Sequence, residues 1–173
     1  IRSIISEKLP IDILINNAGI AHGGLFQMTS ISKLKEIYEV NFFAQILIMQ
    51  LVSKLMIKQK NGCIINIASI GGIETNPGYL AYGSSKAALI WATQLLSKEL
   101  SAYNIRVNAV APGLTRTEMG MYKSEEELQK VINRTSMKRM AEPGEIADAI
   151  VYLASEMSSF ITGDILRVDG GRI

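Results

Sequence analysis

An alternation along the chain constrains the fold most tightly. Short apolar runs end at turn residues, and each is separated from the next by a longer stretch with helical periodicity. Ile11 to Ile15 is the first run, broken only by Asp12 and closed by Asn16-Asn17-Ala18-Gly19. Cys63 to Ala68, Ile105 to Ala111 and Ile165 to Val168 follow, the last two closed by Pro112-Gly113 and Gly170-Gly171. Ile1 to Leu9 reads as the tail of a helix stopped by Pro10. Ser30 or Thr29 can cap a long helix with Ile31, Leu34, Ile37 and Tyr38, then Ile46, Met49 and Val52, on recurring faces. A further helix is expected from about Tyr79 to Ala102, and another over Glu145 to Ser155, opened by Pro143. Strand, helix, strand, helix at this spacing predicts right-handed crossovers and an α/β fold. The expected fold is a doubly wound, Rossmann-like parallel sheet in a single domain, covered on both faces. Ligands of such sheets lie beyond the carboxyl ends of the strands. Thr117 to Arg139, polar and Met-rich, is expected to form a loop–helix flap.

Composition narrows the partners. With 48% hydrophobic and 20% charged residues, the chain has the apolar content for a core and reads as ordered. Its net charge of +2 comes from basic residues scattered among acidic ones, which leaves neither a stripe for nucleic acid nor a polybasic membrane patch. The Gly- and Pro-free stretch Leu25 to Asn61 is broken by Lys33, Lys35, Glu36, Glu39, Lys54 and Lys58, so it is not read as a membrane span. A single cysteine, Cys63, excludes an internal disulfide and fits a reducing compartment. No metal site is expected. The start at Ile1, inside an amphipathic pattern, reads as a position within a longer protein.

Several polar residues stand where chemistry is expected. Tyr82 and Lys86 are four apart at the start of a helix and share a face. Ser69 follows the second strand, thirteen residues before Tyr82. Asn41 lies mid-helix between Val40 and Phe42. Each has a plain alternative. Ser69 can bond to its own loop, Asn41 can satisfy a neighbouring backbone carbonyl, and Asn17 can simply support a turn. Pro112-Gly113 can be only a strand stop. His22, the lone histidine, reads as a solvated loop residue, and Cys63 as inert core.

Taken in order, these pieces resemble the short-chain dehydrogenase/reductase family, especially its 3-oxoacyl-(acyl-carrier-protein) reductase and hydroxysteroid-type members. The resemblance is carried by Asn16-Asn17-Ala18-Gly19, Asn41 in Glu-Val-Asn, Ser69 in Ile-Asn-Ile-Ala-Ser, Tyr82-Gly83-Ser84-Ser85-Lys86, Pro112-Gly113 and Val168-Asp169-Gly170-Gly171. It implies an oxidoreductase that moves hydride between NADP or NAD, NADPH first, and a ketone or secondary alcohol. The first substrate expected is a 3-oxoacyl thioester. The alternatives are a sugar, polyol or hydroxysteroid dehydrogenase of the same family, and, in another class, a non-catalytic cofactor-binding scaffold.

The resemblance also implies roles. Tyr82 is the acid/base and Lys86 its electrostatic partner, which also reaches the nicotinamide ribose. Ser69 steadies the substrate oxygen, and Asn41 holds a water linking Lys86 to solvent. Cofactor contacts fall on Asn17, Ala18, Gly19, Tyr82, Lys86, Pro112, Gly113, Thr115 and Thr117. The family's glycine-rich dinucleotide turn and the residue that separates NAD from NADP are absent from the sequence. The resemblance thus makes residues 1–173 the C-terminal two-thirds of one dinucleotide-binding catalytic domain, inactive and marginally folded when isolated. It further implies a cytoplasmic dimer or tetramer, associating through the helices at 30–60 and 79–102 and the last strand.

Overall fold

The computed structural model describes residues 9–120 and 124–172. The helix expected over Ile1 to Leu9 lies outside these residues but for Leu9. Four strands, β1 (Ile13–Asn16), β2 (Gly62–Ile67), β3 (Ile105–Pro112) and β4 (Ile165–Val168), form one all-parallel sheet in the order β1-β2-β3-β4. The α/β reading is therefore correct. The helices are α1 (Ile31–Tyr38), α2 (Ala44–Gln59), α3 (Leu80–Leu100), α4 (Glu125–Asn133) and α5 (Pro143–Ala154).

Strand β1 begins later than its apolar run. The side chain of Gln59, at the end of α2, captures both backbone groups of Ile11: its amide oxygen accepts from the Ile11 N–H at 3.0 Å and its NH2 donates to the Ile11 carbonyl at 3.1 Å. Ladder bonding is thereby replaced at that residue. The single helix expected after Ser30 is interrupted by a π turn over Glu39–Phe43, between α1 and α2. Ser30 is its cap, with the side-chain oxygen accepting from the Lys33 N–H at 3.2 Å.

Both faces of the sheet are covered. Ile64 and Val107 pack under α2 and α3 with Met49, Val52, Met56 and Leu89. Cys63, Ile65 and Val110 point the other way and pack under α5 with Ile146 and Leu153. Because successive side chains of a strand alternate faces, a strand covered on both sides reads as continuous apolar sequence. Burial raises the pKa of the Cys63 thiol, as expected of an inert core cysteine. By length and composition the helical stretch Ile31–Gln59 could cross a membrane, since no charge lies between Glu39 and Lys54. In this structure its Ile37, Met49, Val52 and Met56 are buried in the protein.

Candidate active site

Glycines bring the serine loop onto helix α3. A β-carbon on Gly72 would stand 2.7 Å from the carbonyl carbon of Lys86, and one on Gly83 would stand 2.7 Å from the Gly71 oxygen. Loop and helix backbones thus touch at positions that admit only hydrogen. This contact fixes Ser69, at the end of β2, beside the first turns of α3. A β-carbon on Gly71 would lie 3.4 Å from Ser69 Oγ and 3.6 Å from Tyr82 Cε1, so hydroxyl and phenol ring flank the same point. Ser69 Oγ accepts from the Gly71 N–H at 3.0 Å, which is the plain alternative read from the sequence, and the hydroxyl keeps its own proton to donate. Tyr79 meets the Tyr82 ring edge to face, with centroids 6.3 Å apart.

Lys86 is 3% exposed. Its Nζ donates to the Ile67 carbonyl at 2.7 Å, and no carboxylate pairs with it among the described residues. Removal from water without a counter-charge pushes its pKa down to about 8.

The loop after β1 approaches from the other side. A β-carbon on Gly19 would stand 3.4 Å from both Lys86 Nζ and Asn41 Oδ1. Asn41 sits in the π turn, fully buried. Its oxygen accepts from the Ile20 N–H at 2.9 Å; its NH2 donates to the Ile20 carbonyl at 2.9 Å and to Ser85 Oγ at 3.1 Å. Four residues on, Gln45 donates to the Ala18 carbonyl at 2.7 Å while its own amide oxygen is buried without a partner among the described residues. Two amides on one helix face therefore hold the Ala18–Ile20 turn.

A cleft of about 1000 Å³ opens at the carboxyl ends of the strands. Asn17, Ala18, Gly19, Ser69, Tyr82, Lys86, Pro112, Gly113, Thr115 and Thr117 all line it; Asn41 stands behind the wall. Gly113 is held by its N–H to the Val168 carbonyl at 2.9 Å, with Asp169 Cα only 2.8 Å from where a β-carbon would be. Thr115 Oγ1 donates to the Gly113 carbonyl at 3.1 Å and Thr117 Oγ1 accepts from the Gly120 N–H at 3.2 Å, so both hydroxyls shape the turn itself. His22, read from the sequence as a solvated loop residue, is half-buried in the cleft wall because the loop is pinned by the Gly24 N–H to the Gly78 carbonyl at 2.9 Å.

Several site residues escaped the sequence reading. Asn66, fully buried, accepts from Asn16 Nδ2 at 2.8 Å and donates to Thr93 Oγ1 at 2.9 Å, joining β1, β2 and α3. Its lone amide inside an apolar strand was the available signal. Gly72 and Gly83 were visible as residues but not as contacts, and Gln45 looked like an ordinary helix surface residue. Arg134, at the end of α4, also lines the cleft.

Comparison with known proteins agrees with this fold. The family described as enoyl-(acyl carrier protein) reductase matches residues 1–172. A 3-oxoacyl-(acyl-carrier-protein) reductase of Aquifex aeolicus is 42% identical over 161 residues, 93% of this chain and 65% of that protein. A 3α-hydroxysteroid dehydrogenase of Mediterraneibacter gnavus is 39% identical over 170 residues, 98% of this chain and 68% of that protein. The chain thus spans about two-thirds of the length of these curated relatives. Among solved structures, a 4-hydroxyisoleucine dehydrogenase mutant complexed with NADH and succinate superposes with a TM-score of 0.92 at 38% identity, covering 98% of this chain and 71% of that one.

Proposed function

Because the chain belongs to the short-chain dehydrogenase/reductase family, we propose that it carries the catalytic half of a nicotinamide-dependent oxidoreductase acting on a ketone or secondary alcohol. On this reading residues 1–173 are the C-terminal two-thirds of one dinucleotide-binding catalytic domain. The 65% and 68% of the relatives' lengths that they span support it. The observation that carries the proposal is the single cleft shared by Ser69, Tyr82 and a buried Lys86 ammonium with no carboxylate beside it.

The residues present fit a nicotinamide dinucleotide. Lys86 has given one donor to Ile67 and has others for ribose hydroxyls. Gly19 keeps the wall flat against it, and the Pro112–Thr117 turn brings backbone to the same space. NADPH is the form to test first, with NADH in parallel. When bound, the nicotinamide supplies or accepts the hydride.

The chain's own groups do the rest. As the carbonyl is reduced, negative charge grows on its oxygen, and Tyr82 donates the phenolic proton there. Lys86 stabilises the resulting phenolate, the more strongly because water is excluded around it. Ser69 directs its O–H as a hydrogen bond to the same oxygen, keeping its proton, and fixes that oxygen's position. Asn41 is a positioning residue. Both its N–H donors go to protein partners, so only the second lone pair of Oδ1, facing Gly19 and Lys86, is left to take a water in a proton path to solvent.

A 3-oxoacyl thioester is the first substrate class, which the Aquifex aeolicus relative supports, with a hydroxysteroid next, which the Mediterraneibacter gnavus relative supports. We also place self-association on α2 with the π turn before it and on α3, where Phe43, Leu47, Trp91 and Leu95 are exposed. The test is oxidation of NADPH and NADH by the intact protein with acetoacetyl thioester, 3-oxosteroid, keto-sugar and ketose substrates. Thioester turnover lost by at least about a hundredfold in Ser69→Ala supports the reading. Turnover of none of the four rejects it.

A further inference from the structure

We propose that Arg134 anchors an anionic group, a carboxylate or phosphate, carried by the substrate. This rests on the ketone-reductase reading and gives it a substrate chemistry.

The cleft wall is one-signed. Lys86, Arg134 and Arg172 line it, and among the described residues no aspartate or glutamate does. Arg172 is already neutralised, with its Nε 3.0 Å from Glu74. Each of the other arginines among the described residues also has a committed partner: Arg116 with Glu142, Arg139 with Glu145, Arg167 with Asp169 and Glu74, and Arg106 with the Leu153 and Ser155 carbonyls. Arg134 has only the Asn76 side-chain oxygen at 3.5 Å, the limit of a hydrogen bond. A planar fork of five donors turned toward a cleft without carboxylates is suited to two oxygens of one anion.

Position separates this group from the dinucleotide. The walls assigned to the cofactor are Asn17–Gly19 and Pro112–Thr117. Arg134 instead meets Asn76, in the loop that runs from Ser69 to Tyr79, on the side of the hydroxyls that would hold the reacting carbonyl. Its backbone is fixed from behind. Thr135 is buried, and the N–H groups of Ser136 and Met137 each donate at 3.0 Å to the carbonyls of Gly171 and Gly170.

The test uses two matched pairs, each differing by one anionic group: acetoacetate against its methyl ester, and acetoacetyl-phosphopantetheine against acetoacetyl-pantetheine. The preference, a ratio of kcat/KM within a pair, is measured on the intact protein. We expect about tenfold or more for the charged member of one pair, reduced to within about twofold in Arg134→Gln, partly restored in Arg134→Lys and weakened by salt. The pair that shows the preference identifies the source, the substrate's own acid or its carrier arm. Binding is read without turnover from the Arg134 Nε–H resonance during titration with phosphopantetheine, pantetheine, acetoacetate and methyl acetoacetate. A shift with a charged ligand but no turnover of any ketone keeps the anion site and removes the reductase reading. Turnover with equal preference in wild type and Arg134→Gln, or no selective shift, overturns the site.

Discussion

The centre of the sheet and its β1 edge use the same residue types under opposite conditions. Ile13 and Ile15 are in register with Cys63 and Ile65 and point to the same face. Cys63 and Ile65 lie under α5 and are buried, whereas Ile13 and Ile15 are not in that cluster and, among the described residues, are 47% and 46% exposed. Only Leu14, facing the other way, packs on the core below α2. The reacting groups are mounted on the covered centre, at the ends of β2 and on α3. The Asn17–Gly19 turn hangs from the half-covered strand, and individual hydrogen bonds from Asn41 and Gln45 hold it instead of packing. The centre should therefore govern stability and chemistry, and the edge should govern binding.

The largest stability effect is expected at the centre. Leu89, fully buried between helix and sheet, should lose about 3 kcal/mol as Leu89→Ala, read by denaturant unfolding. A loss below about 1 kcal/mol would mean that α3 is not packed as described.

An effect of similar size follows from Lys86. With a folded pKa of about 8 and an ordinary value of 10.5, the unfolded chain holds the proton that the folded one releases between those pH values, so stability rises with pH across that window. Burial of the charge costs about 3 kcal/mol, fully present below pH 8 and gone above 10.5. Lys86→Met should be the more stable protein at pH 7 in the absence of cofactor. Its advantage should vanish as pH rises through the window; an advantage that is constant with pH contradicts the burial of an unpaired ammonium.

At the edge, Gln45→Met should weaken dinucleotide binding several-fold and speed amide exchange at Ala18 to Ile20. Unfolding should change by under about 1 kcal/mol, because the lost bond to Ala18 is offset by removing the unpartnered amide oxygen. Unchanged binding would show that packing holds the turn after all.

What the sequence revealed follows the same division. Periodicity located β2 and β3 because strands covered on both sides leave continuous apolar runs, β4 and α3 were bounded by their turn residues, and Tyr82–Lys86 was readable because its spacing is local to one helix. The π turn at Glu39–Phe43 was not, since one extra residue in a helix leaves no compositional trace. Asn41 was singled out, but its partners lie 21 and 44 residues away, and only the folded chain shows that its amide is engaged with Ile20 and Ser85. Gly83 was read only as part of a motif; its contact with Gly71, and that of Gly72 with Lys86, are properties of tertiary packing.

The central claim is that Tyr82 passes the proton while the rest of the cleft binds and positions. Tyr82→Phe removes one oxygen and leaves the ring edge to face with Tyr79. The direct measurement is turnover of this variant in the intact protein, with dinucleotide affinity determined on the same sample. A loss of about a thousandfold in kcat with affinity within about twofold of wild type is the expected result. Turnover equal to wild type, or a loss explained wholly by weakened binding, would contradict the assignment.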